Sequence, residues 1–69
     1  MRTNLKVLRV KQNLTQEEAS AAIGCSRQAY ASIESGMRKG TISFWAKVQN
    51  AFNVPDEEMW GMIRDEQKN

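Results

Sequence analysis

Histidine is absent from this 69-residue chain, and cysteine and proline occur only once each. With Cys25 alone and no histidine, the chain cannot form an internal disulfide, a Cys/His zinc set or a Cys-His nucleophile. No other acid/base constellation stands out, so neither an enzyme nor a bound cofactor or metal is expected. No apolar run approaches the roughly 20 residues that span a bilayer, which leaves no membrane partner. The opening Met1-Arg2-Thr3-Asn4 lacks the apolar stretch of a signal peptide. The expected location is therefore the cytoplasm. The length suits a single domain over 1–69, with an ordered core of about 4–64 and a tail frayed after Asp65. A core that small needs tight helix packing or a partner.

What is present is charge, unevenly placed. Residues 1–40 carry seven Lys/Arg against three Glu, and residues 41–69 carry three against five acids. The front is net +4 and the rear net −2, the polarity of a protein that turns one face to a polyanion. Counts this small also fit an ordinary mixed surface.

The punctuation predicts short helices and no strand, an all-α fold. Leu5, Leu8 and the stem of Arg9 recur at helical spacing, and Asn13 closes that segment. Thr15 with Glu18 three residues later is a capping box. It opens a helix expected to bury Ala19, Ala22 and Ile23 and to end at Gly24. Ser26 caps a third helix, from Arg27 to about Ser35, with Ala29, Tyr30 and Ile33 inward and Gly36 as its stop. Thr41 caps a fourth, whose stripe is Ile42, Trp45, Val48 and Phe52, flanked by Phe44 and Ala51. After the turn Asn53-Val54-Pro55, acids at 56–58 suit the positive end of a fifth helix carrying Met59, Trp60 and Ile63 on its apolar side. Between Thr15 and Ile33, two helices of about eight residues meet at a tight turn. Ala19 and Ala22 are the small residues expected where the axes approach.

Leu14-Thr15-Gln16-Glu17-Glu18-Ala19, Gly24-Cys25-Ser26-Arg27-Gln28 and Ile33-Glu34-Ser35-Gly36 resemble the phage repressor and Cro-type helix-turn-helix family, also called XRE-like. The likeness extends to Asn4-Leu5-Lys6-Val7-Leu8-Arg9 and to 47–54, covering residues 4 to about 62. It implies a compact five-helix repressor-like DNA-binding domain, with helices two and three as the helix-turn-helix. The function implied is a sequence-specific regulator of transcription on double-stranded DNA, a small repressor of phage or mobile-element type. It would act at the nucleoid of a prokaryotic cell or phage-infected host.

Residue by residue, the resemblance puts Arg27 and Gln28 at the base edges, where Arg pairs with guanine and Gln with adenine. For Arg27, a backbone phosphate is the alternative to a base edge. Ser32 shares the face of Gln28, and Ala31 offers a methyl to thymine. Thr15, Gln16, Ser35, Arg38 and Lys39 are the phosphate candidates. Arg9 and Glu34 match a family salt bridge between helices one and three. Trp60, Met62 and Ile63 are either core or the candidate interface of a homodimer on a palindromic operator. Two rival functions are an antitoxin-type autoregulator that also covers a toxin, and a protein-interaction module on the same scaffold. The chain departs from the pattern at Cys25 (usually valine), at Gly40 (usually proline, so a looser loop is expected), and at Asp56 (often apolar).

Overall fold

The computed structural model describes residues 3–65, so the expected fraying beyond Asp65 lies outside the described residues. Five helices follow one another: α1 (Thr3–Lys11), α2 (Gln16–Ile23), α3 (Arg27–Ser35), α4 (Ile42–Phe52) and α5 (Asp56–Asp65). No strand occurs among the described residues, and none of the helices is long and apolar enough to cross a membrane.

Each helix starts and stops where local chemistry directs it. In the capping box, Glu18 N–H donates to Thr15 Oγ1 at 3.1 Å and Thr15 N–H to Glu18 Oε1 at 2.9 Å. Ser26 Oγ accepts from Ala29 N–H, and Thr41 Oγ1 from Phe44 N–H. Such caps satisfy amides that would otherwise have no intrahelical partner. Gly24 (φ +93°) ends α2 and Gly36 (φ +91°) ends α3, while Asn13 (φ +59°) and Asn53 (φ +54°) turn the chain after α1 and α4. Asparagine is among the few side chains that enter this left-handed region readily.

Leu5, Tyr30 and Val48 are fully buried and bring α1, α3 and α4 to one centre. Around them lie Ala19 and Ile23 from α2, Ile33 from α3, Phe44 and Trp45 from α4, and Met59 and Met62 from α5. The Phe44 and Trp45 rings meet edge to face at 5.0 Å between centroids. That geometry suits the aromatic quadrupoles.

Several expected core positions lie elsewhere. Ala22 is exposed, and Ser20 takes its place in the core. The buried arc of α2 runs through Ala19, Ser20 and Ile23. Ala22 projects about 100° away from the centre of that arc. Ser20 tolerates burial because its hydroxyl donates to Glu17 O at 2.7 Å. Ile42 is 89% exposed. It opens the first turn of α4, whose buried arc runs through Phe44, Trp45 and Val48 instead. Trp60 is 64% exposed, leaving Met59 and Met62 as the residues that α5 buries. Ala29, Leu8 and Phe52 are half-buried at the core margin.

Gly40 also departs from expectation, since its loop is packed and not loose. It sits at φ +83°, and a Cβ there would meet Trp45 Nε1 at 3.0 Å and Phe44 Cδ2 at 3.3 Å. Trp45 Nε1–H in turn donates to Lys39 O at 3.1 Å. Asp56 is likewise held in place, because Gln49 Nε2–H donates both to its carboxylate and, at 2.9 Å, to Val54 O.

Candidate nucleic-acid interface

The turn between α2 and α3 is three residues long, Gly24-Cys25-Ser26. Gly24 N–H and Cys25 N–H both donate to Ser20 O, at 2.8 and 3.0 Å, a bifurcated closure that reverses the chain at once. Ser26 then starts α3 without slack. With Tyr30, Ile33 and Glu34 turned inward, the opposite face of α3 is left outward. Arg27 and Gln28 are exposed on its first turn, and Ala31 and Ser32 follow half-buried. Ser35 is exposed, but its hydroxyl donates to Ser32 O at 3.0 Å. Arg38 and Lys39 are exposed on the loop beyond. The first-turn pair and the loop pair thus border the same helix.

Behind this face lies a network centred on Glu34, which is only 3% exposed. Arg9 Nε–H donates to Glu34 Oε1 at 3.0 Å and Arg9 Nη2–H to Oε2 at 3.3 Å, a two-pronged ion pair between α1 and α3. Tyr30 O–H donates to Oε1 at 2.8 Å and Gln16 Nε2–H to Oε2 at 3.0 Å. Each carboxylate oxygen therefore accepts twice, which is what a buried anion requires. Arg9 Nη1–H reaches Leu14 O at 2.7 Å and ties the α1–α2 turn to the same cluster.

The electrostatics follow from these contacts. Burial alone pushes the Glu34 carboxyl up. The hydrogen bonds from Arg9, Gln16 and Tyr30, with the Arg9 charge, outweigh that and hold it below its ordinary value. Burial pushes the Tyr30 hydroxyl well up, and the adjacent Glu34 carboxylate pushes it further. The Arg9 guanidinium is raised by its bond to Glu34. Cys25 is half-buried with its thiol pushed up by burial, against a smaller pull from the Lys47 charge. It is a small apolar residue of the turn, not a poised thiolate.

Sequence reasoning pairs Arg9 with Glu34 but misses the other two arms. The Tyr30–Glu34 arm had a signal, the i, i+4 spacing on α3. The Gln16–Glu34 arm joins residues 18 apart and had none. Gln16, a phosphate candidate, thus commits one amide proton to Glu34, and its second proton remains available to an anion. Thr15 commits its hydroxyl oxygen as an acceptor to the cap.

The interface candidates separate. Trp60 is exposed and Ile63 half-buried, but Met62 is 7% exposed and belongs to the core. Met62 is therefore withdrawn as an interface residue. Trp60 and Ile63 border a groove of about 670 Å3 between the α3–α4 loop, α4 and α5, whose apolar walls include Ile42, Trp45 and Met59. No cluster of three or more potential metal ligands exists among the described residues.

A family model described as helix-turn-helix matches residues 5–59. One relative, named an uncharacterized HTH-type transcriptional regulator of Archaeoglobus fulgidus, is 32% identical over 68 residues, covering 87% of this chain and 96% of its own. A second of the same name and organism is 30% identical over 69 residues, covering 88% and 99%. A third, an uncharacterized HTH-type transcriptional regulator of Methanocaldococcus jannaschii, is 33% identical over 66 residues, covering 96% and 100%. No solved structure matches the chain significantly. The α2-turn-α3 unit lies wholly inside the matched region, and the chain belongs to the helix-turn-helix family.

Proposed function

We propose that this protein is a sequence-specific regulator of transcription that lays the first turn of α3 in the major groove of duplex DNA. The observation that carries this reading is the exposure of Arg27 and Gln28 on a helix end fixed by the Ser26 cap and the Gly24 turn. Both side chains present donors suited to base edges, Arg to guanine and Gln to adenine. Ala31 and Ser32 border them one turn later, and Thr15, Gln16, Ser35, Arg38 and Lys39 are the phosphate-facing set. The charge distribution along the chain supports the same reading, since 1–40, which carries α3 and its following loop, is net positive.

Selection of bound sites from a random duplex pool tests the reading directly and returns the half-site. On the selected site, Gln28→Ala is expected to cost about 1–3 kcal/mol and to relax preference at one base position. An equal loss on random DNA would contradict base readout by Gln28.

The protein acts as a homodimer on a palindromic site. Its longest extent is 27 Å, which spans less than the roughly 34 Å between successive major-groove faces on one side of the duplex. A single copy therefore reads one half-site. The groove bordered by Trp60, Ile63 and Ile42 is the face offered to the second copy. Trp60→Ala should leave the melting of the dilute protein within about 0.5 kcal/mol of the parent, as expected of an exposed side chain. It should weaken self-association measured by sedimentation over a concentration series. A large loss of monomer stability with unchanged association would remove Trp60 from the interface.

A further inference from the structure

A second concavity, of about 380 Å3, lies between the start of α3 and α4. Among the described residues its walls carry three cations, Arg38, Lys39 and Lys47, and no acid. Cys25 and Ala29 form the side toward α3, and Ser43 stands one helical turn before Lys47 on α4. Ser43 and Lys47 are four residues apart and share one face of the helix. Both are exposed. Lys47 lines this concavity opposite Cys25 and Ala29, on the side of α4 that faces α3. Thr41 satisfies Phe44 N–H, so the Ile42 and Ser43 amides are left without an intrahelical acceptor at the positive end of α4.

The position of this concavity gives it meaning. Ala29 follows Gln28 around α3 by about 100°, so the cationic walls flank the face that carries Arg27 and Gln28. A helix lying in the major groove, about 12 Å wide, has a phosphate backbone along each side. We propose that this concavity seats one backbone phosphate of duplex DNA, with Lys47 and Ser43 as contact residues beyond the loop cations. The inference rests on the DNA-binding reading above and extends the interface from the α3–α4 loop onto the second turn of α4.

The test is the salt dependence of duplex binding for the parent protein, Lys47→Gln and Ser43→Ala, with Lys6→Gln, at an exposed position of α1, as a control. Glutamine keeps the helix propensity of lysine, so melting should not change. Lys47→Gln is expected to weaken selected and random duplexes by the same factor. It should also flatten the slope of log K against log salt by about one. Ser43→Ala should weaken both duplexes with the slope unchanged, and Lys6→Gln should change nothing. A parent-like slope in Lys47→Gln overturns the proposal and leaves the DNA reading standing, whereas a parent protein that binds no duplex overturns both. Inorganic phosphate is titrated in parallel against the Ser43 and Cys25 amide resonances. Saturable shifts that Lys47→Gln abolishes, together with an unchanged duplex slope, would reassign the concavity to a free anion and overturn the DNA contact.

Discussion

Glu34→Ala is expected to destabilise the protein by about 3 kcal/mol or more, because it removes the only carboxylate facing four buried or half-buried donors. Arg9 loses both of its bonds to α3, and its side chain is 13% exposed, too little for water to replace them fully. The Tyr30 hydroxyl, on a residue with no exposure, loses its acceptor, and Gln16 loses its tether. For a domain of this size each kcal/mol moves the melting temperature by about 4–8 °C. Thermal melting is therefore a sensitive readout. A loss below about 1 kcal/mol would mean that the network contributes little beyond packing.

The same group makes stability depend on acid. Glu34 is held below its ordinary value in the folded protein, so folding favours the ionised form. That contribution is fully present above the unfolded carboxylate value, about 4.3. It is lost as pH falls through the lower folded value. Glu34→Gln cannot titrate at this position. The stability gap between parent and Glu34→Gln should therefore narrow as pH drops from about 6 toward 3. A gap that stays constant over that range would remove Glu34 as the titrating group.

Gly40→Ala is the second large effect expected, about 1–3 kcal/mol of destabilisation. Two costs combine there. The backbone sits at φ +83°, which an L side chain rarely adopts, and the new Cβ would approach Trp45 Nε1 to 3.0 Å. The indole can retreat only by giving up its bond to Lys39 O, which holds the loop carrying Arg38. Gly40→Pro should be worse, since proline fixes φ near −65°. Equal melting of Gly40→Ala and the parent would show that the loop yields freely. The residue at this departure from the family pattern is thus a packed turn that its own neighbours require.

Much of the fold was legible because it is written in short-range chemistry. Thr15 with Glu18, Ser26 and Thr41 announce helix starts, because a side-chain oxygen three residues from an orphan amide reaches it whatever lies beyond. Gly24, Gly36, Asn13 and Asn53 announce stops, because few other residues enter the left-handed region cheaply. The Arg9–Glu34 pair and the α2-turn-α3 unit came from the family likeness of the motif. Burial was harder. Alanine and isoleucine look like core in any sequence, yet Ala22 and Ile42 face solvent while Ser20 and Glu34 do not. Nothing local distinguishes them, since a helix has only one buried arc and its neighbours choose which.

The sequence by itself therefore determined where the five helices begin and end, and which end of α3 carries Arg27 and Gln28, because caps, terminators and motif spacing act over three or four residues. Only the tertiary structure decided that Glu34 gathers Gln16 and Tyr30 in addition to Arg9, that Gly40 is wedged against Trp45, and that Met62 turns inward while Trp60 turns out. It also decided that Lys47 joins the loop cations around one concavity. Those outcomes depend on how α1, α3, α4 and α5 stack, and the distances involved are set between residues far apart in the chain.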